Sequence, residues 1–137
     1  MKRMLIVLFA MLVAGSAIII LVSRRSSLID TSFATSATLK YHYDNKAIDV
    51  KAKNNDLRAL KEILRGYSYS DNPACGFTTD VSITLTDGQK SLVFCPACDG
   101  CHIIQIHSTN KYIGISKQQR KQLNGILAKY GMVFPCI

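Results

Sequence analysis

The sequence predicts an α+β fold, in which an N-terminal transmembrane helix precedes a small two-layer domain with an antiparallel sheet and two helices. Three observations predict it. Residues 4–22 form an unbroken run of apolar and small side chains. Several later segments alternate apolar and polar residues between short turns, as half-buried antiparallel strands do. Two others carry one apolar stripe at helical spacing. Their order along the chain is ββαββββα.

Residues 1–25 form the predicted membrane segment. A helix rises about 1.5 Å per residue and the hydrocarbon core is about 30 Å thick, so residues 4–22 can span a lipid bilayer. Lys2 and Arg3 precede the run, and Arg24 and Arg25 follow it. The alternative is a signal peptide cleaved near residues 15–17, but cleavage would leave the apolar residues 18–22 in water. We therefore expect an uncleaved, single-pass signal anchor.

Residues 26–36 are rich in Ser and Thr and are predicted to be a tether, and residues 37–137 to be the folded domain. The domain opens with alternating residues up to Tyr43, a two-residue turn at residues 44–45, and a return strand. That turn places Ile48 opposite Tyr41 and Val50 opposite Leu39, which supports a β-hairpin.

The first predicted helix begins at a cap formed by Asn54 or Asn55 and ends at Gly66. A loop over residues 67–75 follows. Strands at residues 81–85 and 92–94 then flank Asp87 and Gly88. A two-residue turn there would pair Ile83 with Leu92 and Val81 with Phe94.

The last hairpin is predicted from residues 103–106 and 112–115, with a turn at residues 108–111. Ser116 and Gln119 have the spacing of a capping box, in which each side chain satisfies a backbone N–H at a helix start. The helix that follows carries one apolar stripe and ends at Gly131. The two helices are expected to lie on one face of the sheet.

All five cysteines follow the apolar run, at positions 75, 95, 98, 101 and 136. Small cysteine-rich domains are typical of oxidising compartments, where disulfides compensate for a limited core. We therefore expect the domain to lie outside the cytoplasm. The favoured interpretation of the cysteines is structural: Cys75 pairs with Cys98 or Cys101, Cys136 pairs with another member of the cluster, and one thiol is left over.

Three other chemistries fit the segment from Cys95 to His102. Cys95 and Cys98 have the C-x-x-C spacing of a redox pair, in which Cys95 would attack and Cys98 would resolve. Cys98, Cys101 and His102 match the C-x-x-C-H pattern of c-type haem attachment. Cys95, Cys98 and Cys101 could bind a metal. Against the redox and haem interpretations, the segment leads into a β-branched strand and not into a helix. Against the metal site, an oxidising compartment disfavours thiolate ligands.

The sequence carries a net charge of +8, with 17 Lys and Arg against 9 Asp and Glu. Four of the cations flank the apolar run, which leaves 13 against 9 in the remainder, a surplus of +4. The lack of an arginine-rich face and the expected location outside the cytoplasm disfavour nucleic-acid binding. No catalytic motif is present, and no cofactor is expected. The sequence therefore favours a disulfide-stabilised binding domain with a protein partner in the cell envelope, such as an envelope component or an immunity-like or inhibitor-like protein. A thiol–disulfide or haem redox protein is the alternative.

Overall fold

The computed structural model describes residues 27–133, which form an eight-stranded antiparallel sheet with two helices. The α+β prediction is confirmed to this extent. The elements in chain order are β1 (Leu28–Ile29), β2 (Ser36–Tyr43), β3 (Lys46–Lys51), α1 (Asn54–Ile63), β4 (Gly66–Tyr69), β5 (Val81–Thr86), β6 (Ser91–Pro96), β7 (Ile103–Ile106), β8 (Lys111–Gly114) and α2 (Lys117–Lys129).

The strands lie side by side in the order β1-β4-β8-β7-β6-β5-β2-β3. Within residues 27–133, no helix has the length and apolar character needed to cross a bilayer. The predicted membrane segment and Cys136 lie outside the described residues.

The sheet buries one face against both helices. Alternate strand residues, among them Leu39, Ile83 and Phe94, share a single apolar core with Leu60 of α1 and Leu123 of α2. Because successive side chains of a strand point to opposite faces, the residues between them form a second face without helices. We call this second face the outer face.

The first hairpin has the predicted register. Ile48 lies opposite Tyr41, and Val50 lies opposite Leu39. Asp44 and Asn45 both have positive φ angles, 51° and 59°. That conformation is typical of the two-residue turns whose twist matches an antiparallel hairpin. The alternation and the turn residues together determine this register.

The register predicted between β5 and β6 is wrong by two residues. Ile83 pairs with Phe94, and Leu85 pairs with Leu92. The connection has four residues, because the Asp87 carboxylate accepts hydrogen bonds from the backbone N–H groups of residues 89 and 90, at 2.9 and 2.7 Å. An aspartate that bonds the backbone two and three residues on forms a longer turn than the Asp-Gly pair alone implies.

The structure also differs from the predicted tether and loop. Leu28–Ile29 pairs with β4, and β4 occupies the start of the segment predicted to be a loop. Thr31 and Ala34 are buried, and the Thr31 hydroxyl donates to the Lys61 carbonyl of α1 at 2.6 Å. Residues 27–35 therefore pack on the domain, since hydrogen bonds and small buried side chains compensate for their low apolar content.

The helix starts were predicted with mixed success. The asparagine cap of α1 is wrong, because Lys53 is the N-cap residue and no side chain caps the helix. The capping box of α2 is confirmed, with the Ser116 hydroxyl accepting from the Gln119 N–H at 3.2 Å and the Gln119 side chain accepting from the Ser116 N–H at 2.8 Å.

One polar contact joins the two helices. Asp56, buried in the first turn of α1, accepts hydrogen bonds from Lys129 Nζ at 2.6 Å and from the Tyr130 hydroxyl at 2.8 Å. The Lys129 hydrogen bond is the largest of the interactions that hold the pKa of Asp56 below its usual value. The contact aligns the start of α1 with the end of α2 across the core.

Candidate functional site

The segment between β4 and β5, residues 70–80, crosses the outer face of the sheet. It must pass three strands, because β8, β7 and β6 lie between β4 and β5. Tyr112 of β8 marks the face that it crosses: its neighbour Ile113 lies in the core, so Tyr112 lies on the opposite side. The Phe77 ring lies 5.5 Å from the Tyr112 ring, and the Tyr112 hydroxyl donates to Asn72 Oδ1 at 3.1 Å. We call residues 70–80 the crossing segment.

A disulfide between Cys75 and Cys101 fastens the crossing segment to the loop between β6 and β7. Cys101 is one of the two partners that the sequence predicts for Cys75. Two hydrogen bonds accompany the disulfide: Gly76 N–H donates to Asp99 Oδ2 at 2.7 Å, and Cys98 N–H donates to the Gly76 carbonyl at 2.8 Å. The first of these is the largest of the interactions that lower the pKa of Asp99.

Cys95 lies on the outer face of β6, opposite Gln105, with none of its surface exposed to solvent. Its neighbours in β6, Phe94 and Pro96, lie on the core side of the strand. Burial raises the pKa of the Cys95 thiol to about 11. At pH 7 about one molecule in 10⁴ then carries the thiolate that redox exchange requires. This environment argues against Cys95 as the attacking thiol of a redox pair.

The same loop bears on the haem and metal alternatives. Thioether attachment of haem needs the sulfurs of both Cys98 and Cys101, and the Cys101 sulfur is bonded to Cys75. Among residues 27–133, the ligand atoms that lie within 4.8 Å of one another belong to Cys75, Asp99 and Cys101, which is not the predicted set of Cys95, Cys98 and Cys101. In the disulfide the sulfurs of Cys75 and Cys101 are not thiolates, so this cluster serves to fasten a loop.

Arg120 supports that loop from the helix side, and the sequence analysis did not single it out. It lies in the first half of α2 and is buried. Its guanidinium donates to the carbonyl of Cys101 and to the carbonyl of Ala97, both at 2.8 Å. The sequence could have identified Arg120 by its position, because it lies three residues before the apolar Leu123 and therefore on the apolar stripe of the helix.

Beside the crossing segment, the outer face forms a groove of about 490 Å³. The side chains that line it come from five neighbouring strands and their ends and from the crossing segment, and they are predominantly polar. They are Thr38, Lys40, His42, Asp49, Thr79, Asp80, Ser82, Thr84, Val93 and His107. We call this the outer-face groove.

The end of the crossing segment forms one wall of the groove. The Asp80 carbonyl accepts a hydrogen bond from the backbone N–H of His42 at 2.7 Å. The Asp80 carboxylate accepts from the Thr78 hydroxyl at 2.8 Å. Asp80 is thereby held at the start of β5, so the wall of the groove and the disulfide-fastened loop belong to one segment of chain.

His42 lies on the outer face of β2, and His107 directly follows β7. Sequence spacing does not bring these two histidines into one groove, because β2 and β7 are separated by β5 and β6. That strand order follows from the crossing of residues 70–80, which no local pattern encodes.

Comparison with protein-family models, with curated proteins and with solved structures finds no match to this chain.

Proposed function

We propose that this chain is a membrane-anchored, extracytoplasmic binding domain that holds a protein partner of the cell envelope in the outer-face groove. The observation that carries the proposal is the crossing segment, which a disulfide fastens at Cys75 and which forms a wall of the groove at Asp80. A binding site gains affinity when its walls are fixed before the ligand arrives. The disulfide supplies that fixation.

The lining of the groove favours a polar ligand. Lys40 offers a cation, and Asp49 and Asp80 offer carboxylates. The imidazoles of His42 and His107 and several hydroxyl groups can donate or accept hydrogen bonds, so they suit either a donor or an acceptor on the ligand. An extended peptide segment presents such alternating donors and acceptors along its backbone. The volume of about 490 Å³ lies within the range of ligand-binding pockets.

Two further observations support the proposed compartment. The Cys75–Cys101 disulfide is typical of proteins outside the reducing cytoplasm. The apolar run at residues 4–22 is long enough to anchor the chain in a bilayer. Together they favour a single-pass protein whose C-terminal domain faces the oxidising side.

Crosslinking in living cells tests the binding role. The full chain would carry a photoreactive phenylalanine derivative at Thr84 in the outer-face groove, or at Gln122, an exposed residue of α2, as the matched control. We expect a discrete protein adduct from position 84 that position 122 does not give. Lys40→Ala should weaken that adduct, because it removes a cation from the groove.

Equal adducts from both positions, or none from position 84, would contradict a partner in the groove. A fusion of alkaline phosphatase to the C-terminus tests the compartment separately, because this enzyme needs disulfides of its own to be active. An inactive fusion in cells that contain the full-length protein would contradict the extracytoplasmic location.

A further inference from the structure

We propose that the β1–β4 edge of the domain docks on the surface of the bilayer, with Leu28 and Tyr67 in the interface and basic side chains on anionic lipid headgroups. This inference rests on the proposed membrane anchor and adds an orientation: one edge of the sheet lies on the membrane.

An exposed apolar pair identifies the edge. Leu28 of β1 lies directly opposite Tyr67 of β4. The two side chains are 48% and 68% exposed, and they are two of the four large hydrophobic residues that are exposed within residues 27–133. Because paired residues of neighbouring strands share a face, these side chains form one patch. Tyrosine is enriched where proteins meet the headgroup region, since its ring is apolar and its hydroxyl is polar.

The position of the predicted anchor places this edge beside the membrane. The apolar run ends at Val22, and Ser27 is the first described residue, so only residues 23–26 intervene. Even fully extended, such a link spans no more than about 18 Å. Ser27 is fixed to the edge, since its carbonyl accepts from the backbone N–H of Ser68 at 2.9 Å and its hydroxyl accepts from Lys111 Nζ at 2.9 Å. The domain is therefore held to the bilayer at β1 and not at its far edge.

The charge between the predicted anchor and this edge is complementary to anionic lipid. Lys111 lies beside Ser27. Arg65 directly precedes Gly66, the β4 residue that pairs with Ile29 of β1. Arg24 and Arg25 lie in the link itself. The nearby acidic group, Asp30, is already engaged by the backbone N–H and the hydroxyl of Ser32 at 2.9 and 2.8 Å. Asp71, after β4, adds one opposing charge. Lys111 and Arg65 are balanced in number by Asp30 and Asp71, and the excess of positive charge comes from Arg24 and Arg25, which the sequence places between the apolar run and Ser27. Positive charge between a membrane anchor and this edge suits an anionic headgroup surface.

The chain contains no tryptophan, so Tyr67→Trp supplies a unique fluorescent probe at the edge. The full chain would be reconstituted into vesicles of phosphatidylcholine with phosphatidylglycerol, some with brominated acyl chains that quench tryptophan. We expect the emission of the probe to shift to the blue and to be quenched by brominated lipid, and both effects to weaken in phosphatidylcholine alone.

Two matched controls accompany the probe. Tyr43→Trp places tryptophan at a residue that is 44% exposed in β2, six strands from β1 or about 29 Å along the sheet. We expect it to be unquenched. Lys111→Gln should reduce the ratio of docked to undocked domain about fivefold. Lys46→Gln, which removes an exposed cation of β3 at the far edge, should leave that ratio unchanged.

Each outcome decides the proposal. A chain that floats with the vesicles while the probe at position 67 stays unquenched overturns docking and leaves the anchor intact. A chain that does not float contradicts the anchor and, with it, the docking. Equal quenching at positions 43 and 67 overturns the assignment of the edge. Blue-shifted emission that brominated lipid does not quench, and that fades on dilution, identifies a second copy of the chain as the occupant.

Discussion

Replacing Cys75 and Cys101 together by serine should lower the free energy of unfolding of the domain by about 3.5 kcal/mol. The two cysteines are 26 residues apart in sequence. A crosslink that closes a loop of this length removes about 12 cal/mol/K of chain entropy from the unfolded state, which gives that value at 25 °C.

The change should also expose Cys95. When the crossing segment is no longer fastened, the domain opens more often and exposes the buried thiol. If the whole 3.5 kcal/mol is taken from the free energy of opening, openings become up to about 300-fold more frequent. The wild-type thiol should react with an uncharged alkylating reagent only slowly, because Cys95 has no exposed surface and its pKa is raised to about 11.

Urea unfolding of the full chain in lipid nanodiscs, followed by circular dichroism, gives the stability, and mass spectrometry of alkylated peptides gives the Cys95 reaction rate. Thr79→Ala is the matched control, an exposed position in the same segment that should change stability by less than about 0.5 kcal/mol. A double variant that loses less than about 1 kcal/mol, with Cys95 as protected as in the wild type, would refute the view that the disulfide fastens the segment over the sheet.

Three other substitutions test the supports of the domain. Asp56→Asn should cost about 1.5–3 kcal/mol at pH 7, whereas the exposed Asp49→Asn should cost little. Because the pKa of Asp56 is lowered on folding, this stabilisation is present above the usual pKa of 3.8 and is lost as the pH falls further, so the difference between wild type and Asp56→Asn should shrink in acid unfolding curves. Arg120→Met should cost at least about 2 kcal/mol in urea unfolding by leaving two loop carbonyls unbonded, and a loss no larger than that of the exposed Lys121→Met would contradict this role. Ser116→Ala should cost about 1 kcal/mol by removing the capping box, as thermal unfolding would measure.

The sequence predicts those parts of the fold that local patterns encode. The register of the first hairpin follows from alternation together with the turn residues 44–45, and the start of α2 follows from Ser116 and Gln119. The β5–β6 register is predicted wrongly, because it depends on how the Asp87 carboxylate bonds the backbone of its own turn. The cap of α1 is predicted wrongly because both asparagines lie inside the helix, whose N-cap residue is Lys53.

The short strands at the β1–β4 edge escape prediction for a related reason. Leu28–Ile29 has only two residues, and Gly66–Tyr69 has four, so neither shows a period. They form strands because β1 pairs with β4 and β4 pairs with β8. The same non-local pairing sets the strand order that assembles the outer-face groove, so the groove cannot be derived from sequence spacing.

The chemistry of the cysteines is predicted from the sequence only in part. The sequence favours Cys98 or Cys101 as the partner of Cys75, and the structure pairs Cys75 with Cys101, since the crossing segment passes that loop. Spacing alone suggests a C-x-x-C pair at Cys95, but strand alternation within β6 places that thiol on the outer face, where none of its surface is exposed. A side chain that is chemically competent in isolation is thereby buried by the tertiary fold.

The most direct test of the central claim, a disulfide-fastened binding domain, is the thiol state of the exported full-length protein. Peptide mass mapping after alkylation without reductant should give a Cys75–Cys101 linked peptide that survives mild reduction, together with Cys95 that is alkylated only after denaturation. A labile bond between Cys95 and Cys98, five alkylated thiols, or a covalent haem mass with a Soret band would contradict the account.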